Sequence, residues 1–362
     1  MSAQVWMSVV VCWGFRKVCR VATGLGKREI VARLASRTGV LSVLQMLPRY
    51  PCLIVLNYHR VANPAECPYD RGVIEVTPEQ FNEQMAYLKA HFHLADPEEV
   101  FALLDKPSQR NHCSVLVTFD DGYLDNYEVV FPILKSHGIT GMFFLPTSFI
   151  GTERLPWWDR IAYLIRHTSS RQIVLQYPRT AQFDLAKTGM ESVIDQVLAL
   201  YKSPETLDTM RFLTDLEAAC EMHVPQKLDK RLFMNWAEAK EMHRGGMYFG
   251  SHTHNHELLA KQSPDQQYEE LRRSREILER ELSAPIDILT YPVGSTTSFS
   301  KVTLKALEDT GYQAAFSYYG GVNLPGKTQR FNLLRMGVDP DFSLARFGLR
   351  TVLAGLTGKE SF

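Results

Sequence analysis

The chain lacks an excess of charge of either sign, because its 362 residues include 40 lysines and arginines and 40 aspartates and glutamates. It also lacks an apolar stretch of the roughly 20 residues that a membrane-spanning helix needs. The apolar run at 5–15 is too short, and its charges follow it, whereas those of a signal peptide precede the apolar region. We therefore expect neither a spanning helix nor a cleaved signal, and a cytoplasmic or peripherally membrane-associated protein.

The six cysteines are scattered, with no Cys-x-x-Cys pair and no spacing typical of a disulfide framework or a zinc knuckle. A reducing compartment is the simplest interpretation. No internal repeat or low-complexity tract is visible. With 45% hydrophobic and 22% charged residues, the chain is able to bury a full core as one large domain or two smaller ones.

Charge is nevertheless distributed unevenly along the chain. Residues 1–50 contain eight basic residues against Glu29 alone, which leaves +7 on this segment and −7 on the remainder. We expect a basic helical leader over 1–50, and three interpretations stay open: a solvated helix packed on the body, a targeting segment, or a helix in peripheral contact with a membrane. The remainder has no basic stripe interleaved with aromatic residues, so nucleic acid is not an expected partner.

Strands alternate with helices through most of the remaining chain. Predicted strands lie at 53–59, 114–119, 141–145, 247–250, 286–291 and 314–318, and predicted helices at 77–90, 126–138, 265–281 and 301–310. This alternation predicts an α/β fold with a parallel sheet, open or closed into a barrel. Residues 157–231 change to helical periods, with one β-like interruption at 173–177, which indicates a helical insertion. The main domain then covers 51–345, and 346–362 is a C-terminal tail.

Polar side chains follow several predicted strands, at the edge of the sheet where ligands bind in such folds. In chain order they are His59, Asp120, Asp121, His252, His256 and the run Thr290-Tyr291-Pro292. Adjacent carboxylates repel each other unless a cation lies close. Two histidines four residues apart share one face if their segment is helical, which suits a divalent ion. The alternatives are a turn or helix cap for the acids and structural roles for the histidines.

The segments T118-F-D-D-G122, S251-H-T-H-N-H256 and Y291-P-V-G294 resemble, in this order, the motifs of the polysaccharide deacetylases with the NodB-homology domain, also called carbohydrate esterase family four. The match covers roughly 51–160 and 235–340. The resemblance implies a distorted (β/α) barrel of about seven strands. It also implies metal-dependent removal of N-acetyl groups from an amino-sugar-containing polysaccharide or glycolipid.

By position, the resemblance assigns site residues one at a time. Asp121, His252 and His256 match the metal ligands, with zinc as the expected metal and cobalt, nickel or manganese as alternatives. Asp120 matches the catalytic base, and the backbone N–H of Val293 matches the group that holds the developing oxyanion. In the family reaction, water activated by the metal attacks the acetyl carbonyl, which yields acetate and a free amine.

Two positions depart from the family pattern. The third motif usually begins with an arginine that orients the catalytic aspartate, and this chain has Thr290 there. We hypothesise that Arg335 approaches the same carboxylate from a later strand. The usual general acid is a histidine near the C-terminus, but no histidine follows His256. His59 is the candidate for this role, with a structural histidine as the equally weighted alternative.

Substrate contacts are expected from two segments. Tyr291 and Pro292 belong to the third motif, and Trp157, Trp158 and Asp159 form an aromatic cluster with an acid. Exposed tryptophans stack on sugar faces and an aspartate holds a hydroxyl, although an aromatic hinge in the core is the alternative. A glycan or a lipid-linked sugar is the expected partner. A carbohydrate O-acetyl esterase, or a glycan-binding protein without turnover, remains the competing function.

Overall fold

The computed structural model describes residues 26–225, 228 and 230–360. The first half of the predicted leader, 1–25, lies outside the described residues. Residues 160–224 separate as one compact unit, and the described residues of 26–159 and 225–360 form a second. Within the described part of the chain, no helix combines the length and the apolar character required to cross a bilayer.

The larger unit is built on a parallel sheet. The strands of the described chain are β1 (Cys52–Tyr58), β2 (Arg60–Val61), β3 (Ile74–Val76), β4 (His93–Leu94), β5 (Cys113–Asp120), β6 (Gly141–Leu145), β7 (Gln172–Leu175), β8 (Ala181–Asp184), β9 (Tyr248–Ser251), β10 (Ile288–Thr290), β11 (Ala314–Phe316) and β12 (Met336–Gly337). Seven of them follow the order β11-β10-β9-β6-β5-β1-β12, and β4 also pairs with β5. This arrangement confirms the predicted α/β fold with a distorted barrel.

The central strands are apolar on both faces, as parallel strands covered by helices must be. Every residue of β1 and of β5 is buried. The segment 330–337 then connects β11 to β1. Leu333 N donates to Ala315 O of β11 at 2.9 Å, and Met336 pairs with Leu56 of β1. This connection curves the sheet toward closure.

The helices surround this sheet and also build the smaller unit. They are α1 (Lys27–Arg37), α2 (Val40–Met46), α3 (Pro78–His91), α4 (Glu98–Asp105), α5 (Phe131–His137), α6 (Trp157–His167), α7 (Leu185–Thr188), α8 (Met190–Lys202), α9 (Thr209–Cys220), α10 (Trp236–Arg244), α11 (Pro264–Leu282), α12 (Lys301–Asp309) and α13 (Leu344–Thr357). The predicted helices at 77–90, 265–281 and 301–310 are confirmed as α3, α11 and α12. Each begins at a capping box, in which the hydroxyl of Thr77, Ser263 or Ser300 accepts a backbone N–H of the first turn.

Three segments differ from expectation. The predicted helix at 126–138 starts with a π-helical turn, Asn126–Val130, before α5 ends at Gly138, whose φ is 65°. The β-like interruption at 173–177 is the first strand of a hairpin, because β7 pairs antiparallel with β8 in the smaller unit. Most of the segment named as a C-terminal tail forms α13, which packs on α1 and α2.

Candidate active site

The candidate site lies at the carboxyl ends of the parallel strands. Asp120 is the last residue of β5, His59 follows β1, His252 follows β9 and Thr290 ends β10. Arg335 directly precedes β12. Since the strands are parallel and adjacent, their ends bring together side chains that are more than two hundred residues apart in sequence.

Three ligand-type atoms converge here. His252 Nε2 lies 3.1 Å from His256 Nε2 and 3.6 Å from Asp121 Oδ1, and His256 Nε2 lies 3.3 Å from the same carboxylate oxygen. Donor atoms bound at zinc–nitrogen distances around a tetrahedral ion are about 3.4 Å apart. The spacing of the three atoms therefore fits one divalent ion, and all three side chains are buried.

The histidine pair reaches this spacing through a loop, and the condition of a helical segment is not met. Thr253 and His256 both have left-handed backbone, with φ of 64° and 56°. Thr253 Oγ1 accepts a hydrogen bond from His256 N at 3.1 Å, which stabilises the tight loop. Left-handed backbone is costly for residues other than glycine and is concentrated at functional sites.

Asp121 is also left-handed, with φ of 73°, and Gly122 follows at 69°. A Cβ on Gly122 would lie 2.6 Å from Leu145 Cδ2, so only glycine fits this turn beside β6. The Asp-Gly turn that was considered as the alternative is therefore present. It serves to aim the Asp121 carboxylate at the two imidazoles.

His252 is held in one tautomer. Its Nδ1 lies 2.9 Å from Thr290 O, and because a carbonyl only accepts, Nδ1 carries the proton and Nε2 exposes its lone pair to the cluster. Burial lowers the pKa of His252 to about 4, which keeps the ring neutral. A neutral imidazole is the form that binds metals.

Asp121 has a carboxylate oxygen that lacks a partner. Among the described residues its buried Oδ1 accepts no hydrogen bond. Burial raises the pKa of Asp121 to about 7, with Asp120 and Asp159 adding to the effect. A buried, unpaired carboxylate oxygen beside two buried neutral imidazoles is destabilising unless a cation binds all three. The residues therefore fit a divalent metal.

Asp120 has the opposite environment. Burial alone would raise its pKa, but the Arg335 guanidinium 2.8 Å from Asp120 Oδ1 outweighs this and keeps the pKa well below its usual range. Arg335 also donates to Asn57 Oδ1 and to Ser317 O. Three buried acceptors thus fix the guanidinium. Thr290 Oγ1, at the position where an arginine was expected, lies 3.4 Å from Asp120 Oδ1.

His59 lies on the other side of Asp120, with Nε2 4.0 Å from Asp120 Oδ2. Its Nδ1 is 2.9 Å from Glu75 Oε1, and Glu75 Oε2 accepts from the backbone N–H of His59 and of Arg60. Burial opposes ionisation of His59, but the nearby Glu75 carboxylate outweighs it and raises the pKa to about 9. The protonated imidazole therefore presents an Nε2–H on the rim of the site.

Trp157 and Trp158 are buried, contrary to the expectation of exposed sugar-stacking faces. Trp157 Nε1 donates to His256 O at 3.2 Å, and the Trp158 ring lies 4.3 Å from the His256 ring. Asp159 is fully buried and accepts from the Tyr123 hydroxyl at 2.8 Å. The two tryptophans therefore pack against His256 and stabilise its loop. Asp159 binds another residue of the protein, Tyr123.

The third motif contributes backbone conformation. Val293 has φ of 64°, a rare value for a β-branched residue. Tyr291 is buried, stacks on Phe299 with ring centroids 4.2 Å apart, and donates its hydroxyl to Phe331 O. Pro292 is buried beside it. A role for Val293 N–H toward an oxyanion, and for Tyr291 and Pro292 toward substrate, stays a prediction.

Three contributing residues were missed at the level of sequence. Asn57 and Glu75 each carry a polar group inside an apolar run, L53-I-V-L-N-Y58 and I74-E-V76, and this interruption was the available signal. Thr290 was noted among the polar residues that follow the strands and as a departure from the family pattern, but its contacts were not predicted. Nothing in its local sequence predicts that it bridges His252 and Asp120.

A second cluster combines the same ligand types on the opposite edge of the sheet. His93 Nε2 lies 2.8 Å and His112 Nε2 3.4 Å from the Glu99 carboxylate. Both histidines are exposed, and Glu99 already binds the Arg110 guanidinium at 2.8 Å and the Ser114 hydroxyl at 2.8 Å. A cation at Glu99 would have to displace an arginine, so this cluster is the weaker metal candidate.

Comparison with known proteins agrees with this geometry. The family model described as Polysaccharide deacetylase matches residues 108–315, which is more than half of the chain. The curated protein "Putative polysaccharide deacetylase YxkH" of Bacillus subtilis (strain 168) is 23% identical over 301 residues, covering 82% of this chain and 75% of its own length.

Two solved structures share the fold. The deacetylase PplD of Streptococcus pyogenes, in complex with acetate, superposes with a TM-score of 0.52 at 20% identity, and IcaB of Ammonifex degensii with 0.53 at 21%. Each comparison covers 83% of this chain and 97% of the other. The likeness at this identity concerns the arrangement of the barrel.

Proposed function

Because the chain belongs to the polysaccharide deacetylase family, we propose that it is a metal-dependent hydrolase that removes N-acetyl groups from the amino sugars of a polysaccharide or glycolipid. The observation that carries the proposal is the buried group of Asp121, His252 and His256 beside an arginine-bound Asp120. Zinc is the first expectation for the metal. We further propose that the protein works in the cytoplasm or at a membrane surface, on a glycan or a lipid-linked sugar.

The proposed division of labour follows from the two aspartates. Asp121, His252 and His256 would hold a divalent ion, which would supply Lewis acidity toward the acetyl carbonyl and toward water. Asp120 stays ionised because Arg335 is bound to it, so it accepts the proton of the attacking water. Val293 N–H is the proposed donor to the developing oxyanion.

The leaving amine needs a proton when the C–N bond breaks. His59 is the proposed donor, because Glu75 keeps its imidazole protonated and its Nε2 lies 4.0 Å from Asp120. The oxygen of water ends on acetate, one of its protons goes to Asp120, and the His59 proton goes to the leaving nitrogen. The second proton of water leaves when the acetic acid ionises, and it ends on the free amine or in solvent. Asp120 then passes its proton to His59, which restores the site.

Acetate release from N-acetylglucosamine oligomers tests the proposal. With one equivalent of zinc the protein should release acetate, and Asp120→Asn should lower the rate by about 10²- to 10⁴-fold, the usual contribution of a general base. The matched control is Asp125→Asn, an acid of the next turn that binds Arg60. Release only from O-acetylated oligosaccharides would assign an esterase, and binding without any release would assign a glycan-binding protein.

A further inference from the structure

The exposed large apolar side chains are concentrated in one place. Of the fifteen in the described residues, eight lie in α1, α2 and the segment that follows: Ile30, Val31, Leu34, Val40, Val43, Met46, Leu47 and Tyr50. Met46 is 85% and Val43 61% exposed. We call these eight residues the leader patch. Contiguous exposed apolar surface of this kind marks an interaction site.

The leader patch faces outward because the other side of these helices is already packed. Glu29, Ala32 and Leu41 are buried, and both helices pack on α13. Glu29 is further tied to Arg33, whose Nε lies 2.6 Å from Glu29 Oε1. A helix whose far side met only water would carry polar residues there. The apolar outer face therefore indicates a partner.

Cations are interleaved with this apolar face. Lys27, Arg28, Arg33 and Arg37 are exposed on α1. At 3.6 residues per turn, Lys27 and Arg37 fall on the same side as Ile30 and Leu34. Glu29 is the single acidic residue of 1–50, and it is buried. The helix on which α1 packs, α13, contains no acidic residue. The outer surface is thus apolar and positive together.

This combination selects the partner. A second copy of the chain would bring two sets of cations face to face without an acid between them. Residues 1–25 would meet the same repulsion, because they contain Arg16, Lys17 and Arg20 and no acid. An anionic surface into which apolar side chains insert satisfies both requirements.

We propose that the leader patch binds the surface of an anionic lipid bilayer. The apolar side chains enter the boundary between headgroups and acyl chains, and the basic side chains extend to lipid phosphates. Two short helices provide limited apolar area, so binding is expected to be reversible. Because the basic side chains contribute to it, binding is also expected to weaken as salt is added. This proposal concerns a different surface from the active site and stands apart from the proposed deacetylation.

Co-sedimentation of the full chain with vesicles tests the proposal. We expect binding to vesicles of phosphatidylglycerol and phosphatidylcholine, and little binding to phosphatidylcholine alone. Arg28→Gln with Arg37→Gln should lower the partition coefficient about 30-fold at low salt, since each basic side chain at an anionic surface contributes a factor of about five. Val43→Ser with Met46→Ser should lower it about tenfold.

Matched variants separate these effects from general changes in charge or folding. Arg244→Gln with Arg280→Gln removes the same charge from other exposed positions, and Val302→Ser with Met210→Ser removes the same side chains from other helices. Both controls should bind as the parent does. Equal binding by all four variants, or no binding by the parent, would overturn the proposal. Self-association abolished by Val43→Ser with Met46→Ser, without vesicle binding, would assign a second copy instead.

Discussion

Among the described residues, two clusters each combine two histidines with one carboxylate, and they differ in burial and in the partners of that carboxylate. Asp121, His252 and His256 are buried at the carboxyl edge of the sheet, whereas the cluster of His93, Glu99 and His112 lies on the surface at the opposite edge. Composition and proximity alone therefore do not distinguish a metal site from a surface ion pair.

The decisive difference is what else the carboxylate binds. Burial alone would raise the pKa of Glu99, but the Ser114 hydroxyl and the Arg110 guanidinium together outweigh it, so the pKa is lowered. Burial raises the pKa of Asp121 to about 7, and its Oδ1 accepts no hydrogen bond from the described residues. The first carboxylate is already neutralised by the protein, and the second requires a cation.

Metal content is expected to show the largest contrast. His252→Ala with His256→Ala should reduce tightly bound zinc from about one ion per chain to a trace, because two of three protein ligands are lost. His93→Ala with His112→Ala should leave it unchanged. Elemental analysis after dialysis measures both. Zinc lost from the second pair instead would reverse the assignment of the two clusters.

The next contrast concerns the two carboxylates that bind an arginine, Asp120 with Arg335 and Glu99 with Arg110. Arg335→Ala should lower turnover about 10²-fold and move the acidic limb of the pH–rate profile to higher pH, because the pKa of Asp120 rises without the guanidinium. Arg335→Lys should recover part of both effects. Arg110→Ala, which removes the partner of Glu99, should leave the pH profile unchanged. A profile that does not move in Arg335→Ala would contradict this role.

His59 and His93 both contact a glutamate, yet only His59 faces Asp120. Since its pKa is raised to about 9, turnover on an N-acetyl substrate should fall as pH rises above 9. His59→Gln should lower this turnover about 10²-fold, with little effect on an aryl acetate whose leaving group needs no proton. His93→Gln should affect neither substrate. Equal losses on both substrates would indicate a purely structural role for His59.

The pH dependence of the free energy of unfolding is expected to show the smallest contrast, between Asp159 and Glu99. Burial raises the pKa of Asp159 to about 7, so its contribution to stability is lost as pH rises from about 4 to 7. The free energy of unfolding of Asp159→Asn should therefore rise relative to that of the parent over this window, by about 4 kcal/mol at neutral pH. Glu99→Gln should behave oppositely, with a loss at neutral pH that disappears on acidification, because the pKa of Glu99 is lowered. Thermal unfolding between pH 4 and 8 measures both trends.

The sheet, and the placement of polar residues at its carboxyl edge, were predictable because they depend on local patterns. Runs such as 53–56 and 115–117 are apolar on both faces, and the residues that follow them must share one edge if the strands are parallel. The barrel prediction is confirmed, and Asp121, His252 and His256 lie together at that edge.

Features that depend on tertiary packing were not predictable in the same way. Residues 252–256 bring the two histidines together through a loop and not through a helical face, and the left-handed backbone at Thr253 that makes this possible leaves no period in the sequence. For Trp157 and Trp158 the sequence left an exposed sugar subsite and an aromatic hinge in the core as alternatives. The structure buries both residues, because their indole N–H groups find protein acceptors. Glu75 approaches His59 because β2 pairs with β3, and these strands of two and three residues are too short to show a hydrophobic period in the sequence.

The contact between Arg335 and Asp120 joins residues 215 positions apart in the sequence. Arg335 lies in the segment 330–337, which links β11 to β1. Contacts of such sequence separation form late in folding. During synthesis, a chain lacking its final thirty or so residues has all three proposed metal ligands but lacks the guanidinium that holds the pKa of Asp120 low. On the proposed function, hydrolysis therefore requires the complete barrel, and partly made or C-terminally clipped chains are expected to bind metal without hydrolysing substrate.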